Sequence, residues 1–194
     1  MLVISCHADT NFRAHTLERI DEERFHGHLD NFAGVHAVMR AYFSGRLAGG
    51  HVRIALTHGE EVDFAGAREV LATLGPDDLV LVVDVTGVEV DADLTLEKCR
   101  QPELRAWLAR TLAGLRVAIY EDCPDPVADA DETDVYAPYC PFSCFVGVMC
   151  SGGDYNAGPV DGRESAIAAV SEAICRIAEQ YADWERVRPR LDSL

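Results

Sequence analysis

The chain has 194 residues, of which 48% are hydrophobic and 26% are charged, as expected for one globular domain with its own core. Its 33 acidic residues outnumber its 17 basic residues, and the formal net charge is -16 at pH 7. This charge argues against nucleic acid as a partner, because a phosphate backbone would be repelled. No apolar run approaches the roughly 18 residues of a membrane-spanning helix, so no membrane partner is expected.

Short apolar runs alternate with longer segments of helical periodicity along the chain. The runs are rich in Val, Ile and Leu, which is typical of strands covered on both faces. They are Leu2–Cys6, His51–Thr57, Leu79–Val85, Val117–Tyr120 and Phe145–Cys150. The predicted helices are Asn31–Arg46, Ala65–Leu74, Pro102–Leu115 and Arg163–Trp184. This order predicts an α/β fold with three layers, in which helices cover both faces of a mostly parallel sheet.

Two polar stretches and the end of the chain depart from this alternation. Residues Asn11–His28 predict a loop with a short ribbon. Residues Glu121–Tyr139 hold five aspartates, Asp129 among them, and three prolines, which predicts an irregular surface excursion. The chain beyond Trp184 is expected to be frayed. The predicted division is therefore a single domain, residues 1–184, followed by a tail, residues 185–194.

The amino-terminal sequence and the cysteines give an expectation for the location. No basic leader precedes the first apolar run, so no signal peptide is expected and the predicted location is the cytoplasm. The seven cysteines form no Cys-x-x-Cys pair, which favours reduced thiols. Cys140, Cys144 and Cys150 could form a soft metal site, although they are more typical of small apolar side chains around a buried strand. A thiol or redox activity around Cys140 and Cys144 is a further hypothesis.

Ionisable side chains lie where three of the predicted strands end. His7 and Asp9 follow the first strand, Glu60 and Glu61 follow the second, and Asp84 lies at the end of the third. Because ligands of an open parallel sheet bind outside the carboxyl ends of its strands, we expect these side chains to converge.

Asp30 joins this group because it directly precedes a helix that should return to the sheet. Taken alone, it could serve only as a cap of the helix that is predicted to start at Asn31. Together with the acids and the histidine at the strand ends, it predicts a metal site. Imidazole and carboxylate groups suit Zn²⁺, Co²⁺ or Mn²⁺, and a shared carboxylate can hold two ions about 3.5–4 Å apart.

Four short motifs contain these ionisable residues. In chain order they are Cys6-His7-Ala8-Asp9-Thr10, Leu29-Asp30-Asn31-Phe32-Ala33-Gly34-Val35, Thr57-His58-Gly59-Glu60-Glu61 with Gly66-Ala67, and Val83-Asp84-Val85-Thr86. They resemble the pattern of zinc-dependent exopeptidases, a family that includes leucyl-type and tetrahedral aminopeptidases, carboxypeptidase G-like enzymes and acetylornithine deacetylase. That pattern is His-x-Asp after a strand, Asp-Asn-x-x-Gly opening a helix, Glu-Glu with a later Gly-Ala, and Asp after a strand. The resemblance covers roughly Leu2 to Tyr181.

The resemblance implies a set of metal ligands. His7 and Asp84 would be the terminal ligands of one ion, and Asp30 would be the carboxylate that bridges two ions. Glu61 would bind the second ion. The cofactor implied is zinc, as one or two divalent ions.

The resemblance also implies a general base and a residue that orients a metal ligand. Glu60 would be the general base, which takes a proton from the attacking water and passes it to the leaving amine. Asp9 would hydrogen-bond the second ring nitrogen of His7 and orient it. The family usually has a cis peptide bond after the bridging aspartate, so the Asp30–Asn31 bond is expected to be cis.

The chain departs from the family pattern after the last predicted strand, where the family has a histidine that completes the second metal site. His58 is the last histidine in this sequence, so no histidine can occupy that position here. Asp154 and Asn156 lie in the matching region and are the candidate replacement ligands. His26, His28 or His58 could instead lend a nitrogen. The family's inserted lid or dimerisation domain is also missing, so the pocket should be open unless a homo-oligomer covers it.

Two functions compete on these observations. The first is a metal-dependent hydrolase that cleaves an amide bond of a small peptide or an acyl-amino acid, with Glu60 as base and then acid. The alternative is a non-catalytic relative with a degenerate metal site, which serves as a binding or assembly subunit. The sequence leaves open which end of a substrate is recognised.

Overall fold

The computed structural model describes residues 1–128 and 130–189. Its strands, in chain order, are β1 (Leu2–His7), β2 (Leu17–Arg19), β3 (Arg24–Gly27), β4 (Val52–Thr57), β5 (Leu79–Thr86), β6 (Leu94–Glu97), β7 (Val117–Ile119), β8 (Ser143–Ser151) and β9 (Val160–Arg163). Its helices are α1 (Phe32–Phe43), α2 (Ala65–Leu71), α3 (Pro102–Thr111), α4 (Glu132–Tyr136), α5 (Glu164–Glu179) and α6 (Tyr181–Val187). Asp129 of the predicted excursion and residues 190–194 of the predicted tail lie outside the described residues.

The strands form one sheet with a parallel centre. Strands β4, β1, β5 and β8 lie side by side in this order and run parallel. Antiparallel pairing begins at β8, whose partners β6 and β9 run in the opposite direction. Strands β3 and β2 continue the sheet beyond β9, and β7 pairs with β6. The predicted mostly parallel sheet is therefore confirmed.

Each central strand sends alternate side chains to opposite faces, because successive residues of a strand point in opposite directions. In β5, Leu81 and Val83 pack into the larger core, which helices α1, α3, α5 and α6 cover. Val80 and Val82 pack into a smaller core beneath α2 and α4. The sheet thus has helices on both faces, and the predicted three-layer arrangement is confirmed. In the described part of the chain, no helix combines the length and the apolar character needed to cross a membrane.

The predicted carboxyl-terminal helix is two helices, which meet at Gln180. The change of direction buries Trp184 completely, with its ring 5.3 Å from that of Trp107 and 5.2 Å from that of Phe142. Helix α6 then continues to Val187, so the predicted start of the tail lies inside a helix.

The prediction of an irregular surface excursion over Glu121–Tyr139 is wrong for its second half. Helix α4 lies there, and a capping box between Asp131 and Asp134 starts it. Glu132 and Tyr136 are buried beneath the sheet. The acidic residues of this segment predicted an exposed position. Glu132 and Tyr136 are buried instead, because the residues that contact them come from distant parts of the chain.

The central strand β5 offers a test of the packing. Replacing the fully buried Leu81 with Ala removes contacts in the larger core and should lower the free energy of unfolding by about 3 kcal/mol. Leu56→Ala is the matched control, because Leu56 is 48% exposed on β4 and its loss should cost less than about 1 kcal/mol. Urea denaturation measures both values, and equal losses would contradict the described packing.

Candidate metal centre

The parallel strands bring the predicted ligands to one edge of the sheet. His7 is the last residue of β1, and Asp84 lies near the end of the adjacent strand β5. Glu60 and Glu61 follow β4, which pairs with β1 on its other side. Asp30 directly precedes α1 at the same edge. These side chains therefore converge at the carboxyl ends of the strands, as expected.

One nitrogen of His7 contacts two carboxylates. The His7 Nε2 atom lies 3.0 Å from Asp84 Oδ2 and 3.1 Å from Asp30 Oδ1. All three residues are less than one-tenth exposed. Three donor atoms that converge in this way are spaced as the ligands of one ion would be, since ligand bonds to zinc are about 2.0–2.2 Å long.

Asn31 fixes Asp30 in place. Its Nδ2 atom donates a hydrogen bond to the Val83 carbonyl oxygen at 2.8 Å, next to Asp84 in β5. Its Oδ1 atom accepts a hydrogen bond from the Gly34 backbone N–H at 3.0 Å and thereby caps α1. The residue that caps α1 is therefore Asn31, and the reading of Asp30 as a simple cap is wrong. The Asp30–Asn31 peptide bond is cis, as the family resemblance implies.

Two glycines of the motifs are required by close contacts. A Cβ atom on Gly34 would lie 2.0 Å from Asn31 Oδ1, so a side chain there would displace the cap of α1. A Cβ atom on Gly66 would lie 2.5 Å from the His58 backbone nitrogen. Gly66 therefore lets the start of α2 pack against the loop that carries Glu60 and Glu61.

Burial and charge shift the ionisation of the cluster. Burial raises the pKa of Asp84 above its usual range, against the opposing effect of His7. Burial alone would lower the pKa of His7, but the carboxylates of Asp84 and Asp30 outweigh burial and raise the pKa well above its usual value. Burial also raises the pKa of Glu60 to about 8, and the negative charge of Asp84 adds to this effect. Near neutral pH the cluster therefore retains at least one proton, which a bound cation could replace.

The donor set fits a divalent ion. Two buried atoms of the cluster, His7 Nδ1 and Asp9 Oδ1, make no hydrogen bond, and such atoms are expected to have a partner. Asp9 Oδ1 lies 3.6 Å from His7 Nδ1, close to the position of a carboxylate that orients a ligating histidine. Ligand atoms of His7, Glu60 and Glu61 form a second group within 4.8 Å of one another. Imidazole with carboxylates is a set that zinc, cobalt and manganese all accept.

The predicted replacement ligands lie in different positions. Asn156 lines the cavity at the cluster, and its Nδ2 atom donates a hydrogen bond to the Val127 carbonyl oxygen at 3.0 Å. Asp154 is exposed and accepts a hydrogen bond from the Asn156 backbone N–H at 2.9 Å. Of the two, Asn156 is the one that lines the cavity, and its role as a ligand stays a prediction.

The alternative histidines have other contacts. His26 Nδ1 lies 2.8 Å from Asp161 Oδ1, and His28 Nδ1 accepts a hydrogen bond from the Thr16 backbone N–H at 3.0 Å. His58 is exposed, 3.9 Å from Glu69. The potential ligand groups found in residues 1–128 and 130–189 include none of these three histidines.

The cysteines that are close in sequence are buried. Cys140, Cys144 and Cys150 all lie in the protein core. Cys150 Sγ lies 3.3 Å from the Thr86 carbonyl oxygen. None of the potential metal-ligand groups of the described residues contains a cysteine, which favours the interpretation of the three as apolar core residues.

Part of the lining of the cavity at the cluster was not predicted from the sequence. The cavity has a volume of about 450 Å³, and its lining includes Glu97, Asp125 and Tyr155. Glu97 ends β6, where apolar Leu94 and Leu96 alternate with polar residues. That alternation is the signal that could have predicted a strand there. Asp125 lies in a loop whose composition gives no sign of burial.

Structural comparison relates the fold to aminopeptidases. An aminopeptidase from the archaeon Desulfurococcus kamchatkensis superposes with a TM-score of 0.70 at 13% identity, over 92% of this chain and 56% of that chain. An M18-family aminopeptidase from Thermotoga maritima gives 0.65 at 13% identity, over 85% and 48%. The TET1 peptidase of Pyrococcus horikoshii, which can assemble into a tetrahedron or a large octahedral shell, gives 0.67 at 12% identity, over 84% and 52%.

These likenesses establish the fold, at a sequence identity too low to establish more. The chain spans about half the length of each of these three proteins. No protein-family model matches the sequence, and no curated protein matches it.

Metal binding should release protons, because His7 must be neutral to coordinate an ion and its raised pKa keeps it protonated near neutral pH. We expect about one proton per ion at pH 7, and an apparent association constant that falls about tenfold per pH unit as the pH is lowered. Calorimetric titration with zinc in buffers of different ionisation enthalpy measures the proton count.

Two histidine variants are the controls for this titration. His7→Ala should abolish binding, whereas His58→Ala removes an exposed histidine and should leave the affinity and the proton count unchanged. An affinity independent of pH between about 6 and 8 would contradict the described cluster.

Proposed function

We propose that this protein is a metal-dependent hydrolase that cleaves an amide bond of a small peptide or an acyl-amino acid with an activated water. The observation that carries the proposal is the contact of His7 Nε2 with both Asp30 and Asp84, beside Glu60 at the edge of one cavity. The fold shared with aminopeptidases supports a hydrolase of the peptidase type.

The proposed cofactor is zinc, with cobalt or manganese as alternatives that the same ligands accept. His7, Asp30 and Asp84 would hold one ion, and Asp30 with Glu61 would contribute to a second. A divalent ion held there supplies a Lewis acid that polarises the carbonyl group and lowers the pKa of water. Asp9 would fix the orientation of His7 through the ring nitrogen that faces away from the carboxylates.

Glu60 is the proposed proton carrier. Burial raises its pKa to about 8, which suits a group that must both accept and give up a proton near neutral pH. Its carboxylate would accept a proton from the water as the water oxygen bonds to the carbonyl carbon. It would then return this proton to the amine nitrogen as the carbon–nitrogen bond breaks.

Self-association is part of the proposal. The cavity lies at the edge of the sheet where the candidate ligands meet, and a neighbouring copy would cover it from that side. The TET1 peptidase can assemble into closed shells, which supports a homo-oligomer in which a neighbouring copy covers the site.

The alternative function is a non-catalytic relative that binds or assembles. One observation favours it. In the region after β8, Asn156 lines the cavity, and a neutral carboxamide is a weaker ligand for zinc than an imidazole. In that case the site would hold an ion without turning over an amide.

Replacing Glu60 with Gln tests the proposed chemistry, because the amide keeps the shape of the side chain and removes its capacity to accept a proton. We expect kcat to fall about 100-fold or more while the zinc content stays unchanged. Hydrolysis of aminoacyl nitroanilides and of N-acyl amino acids measures turnover, and atomic absorption measures the metal.

Glu69→Gln is the matched control for this substitution. Glu69 is an exposed residue of α2, and its loss should leave turnover intact. Unaltered turnover in Glu60→Gln would refute the assigned role. A zinc-loaded native protein that cleaves none of these substrates would favour the non-catalytic alternative.

A further inference from the structure

The cavity at the metal centre is lined by acids along its whole length. Seven carboxylates line its volume of about 450 Å³. They belong to Asp30, Glu60, Glu61, Asp84, Glu97, Asp125 and Asp131. In the part of the chain that the structure describes, no lysine or arginine lines this cavity.

Part of this negative charge has an evident counterion. The Lys98 ammonium group lies 2.8 Å from Asp131 Oδ2 and neutralises that carboxylate. The metal centre accounts for the acids around His7, where Asp30 and Asp84 both contact Nε2. Glu97 and Asp125 remain, and no salt bridge within residues 1–128 and 130–189 involves either of them.

Glu97 and Asp125 lie close together because both contact the same hydroxyl group. Thr86 Oγ1 is 2.8 Å from Glu97 Oε1 and 3.3 Å from Asp125 Oδ2. A hydroxyl group has one hydrogen, so it can donate fully to only one of the two carboxylates. Glu97 is 1% exposed and Asp125 is 9% exposed, so water screens their repulsion poorly.

Neutral donors hold this pair in position without supplying positive charge. Asp125 Oδ2 accepts hydrogen bonds from the Gly87 backbone N–H at 2.7 Å and from the Tyr155 hydroxyl at 3.0 Å. Glu97 accepts a further one from the Thr95 hydroxyl at 2.6 Å. The described residues supply no cation to this pair, so the entry of a cationic group there would be favourable.

We propose that Glu97 and Asp125 form a specificity subsite for a cationic side chain, so that the protein selects peptides with Lys or Arg beside the scissile amide. The proposal rests on the proposed function for the reaction itself, while the selectivity of binding does not require turnover. Thr86 lies two residues beyond Asp84 on β5, about 7 Å along the strand, so a Lys or Arg side chain is long enough to bring its charge to this pair while the amide lies at the metal centre. A carboxylate side chain at that position is repelled by the same acids, which narrows the substrate class to peptides with a cationic residue there.

Calorimetric binding of two amino acid amides to the zinc-loaded full chain tests this subsite. Lysinamide and norleucinamide have side chains of the same carbon length, and only lysinamide carries the terminal ammonium group. We expect lysinamide to bind about tenfold more tightly or better, and N-acetylglutamate to bind more weakly than either amide. Equal binding of the two amides by the native protein would overturn the proposal.

Substitutions separate a local subsite from the general effect of the net charge. Glu97→Gln keeps the shape of the side chain and should reduce the lysinamide preference to about threefold or less. Glu185→Gln removes a negative charge from the exposed face of α6 and should leave the preference unchanged. Asp125→Asn is the second variant, and thermal melting with zinc content verifies that each variant is folded. A preference that persists in both Glu97→Gln and Asp125→Asn would also overturn the proposal.

Turnover distinguishes this inference from the proposed function. Selective binding of lysinamide without hydrolysis of lysyl nitroanilide would support the subsite and refute the hydrolase. Hydrolysis with equal kcat/KM for lysyl and norleucyl nitroanilides would support the hydrolase and refute the subsite.

Discussion

Asp30 and Asp84 are buried carboxylates that contact the same nitrogen of His7. Two negative charges in a site that water barely reaches are unfavourable unless a cation lies between them. Among the described residues, His7 is the group that can supply this charge, by holding a proton, and a divalent ion would supply it more completely. The architecture of the site therefore depends on a cation at this point.

The fold meets this requirement by placing the ends of parallel strands side by side. β1 and β5 are neighbours, so His7 and Asp84 approach each other without any loop to position them. Asp30 comes from a different connection, and Asn31 ties that connection to β5 through the Val83 carbonyl group. Ligands fixed by strands and by a helix cap are held more firmly than ligands on free loops. Under the proposed function, His7, Asp30 and Asp84 would therefore be held in position before an ion or a substrate arrives.

The sequence predicted the centre of the sheet and the convergence of His7, Asp30 and Asp84, because both leave local signals. Continuous apolar runs mark strands covered on two faces, and the candidate ligands His7 and Asp84 lie where such runs end. The acidic end of the cavity left no such signal. Glu97 and Asp125 meet only through Thr86, a contact between three separate segments of the chain. The acids around Glu132 predicted a surface, yet this residue accepts hydrogen bonds from the buried hydroxyl groups of Ser5 and Thr57. Contacts of this kind depend on tertiary structure and cannot be predicted from local composition.

A crystal of the full chain equilibrated with zinc would show whether His7, Asp30 and Asp84 bind one ion. Anomalous scattering at the zinc absorption edge locates the ion independently of any assumption about its ligands. We expect a peak about 2.0–2.2 Å from His7 Nε2 and from carboxylate oxygens of Asp30 and Asp84. A zinc-equilibrated crystal with no peak there, or with its zinc at the cysteines instead, would contradict this expectation.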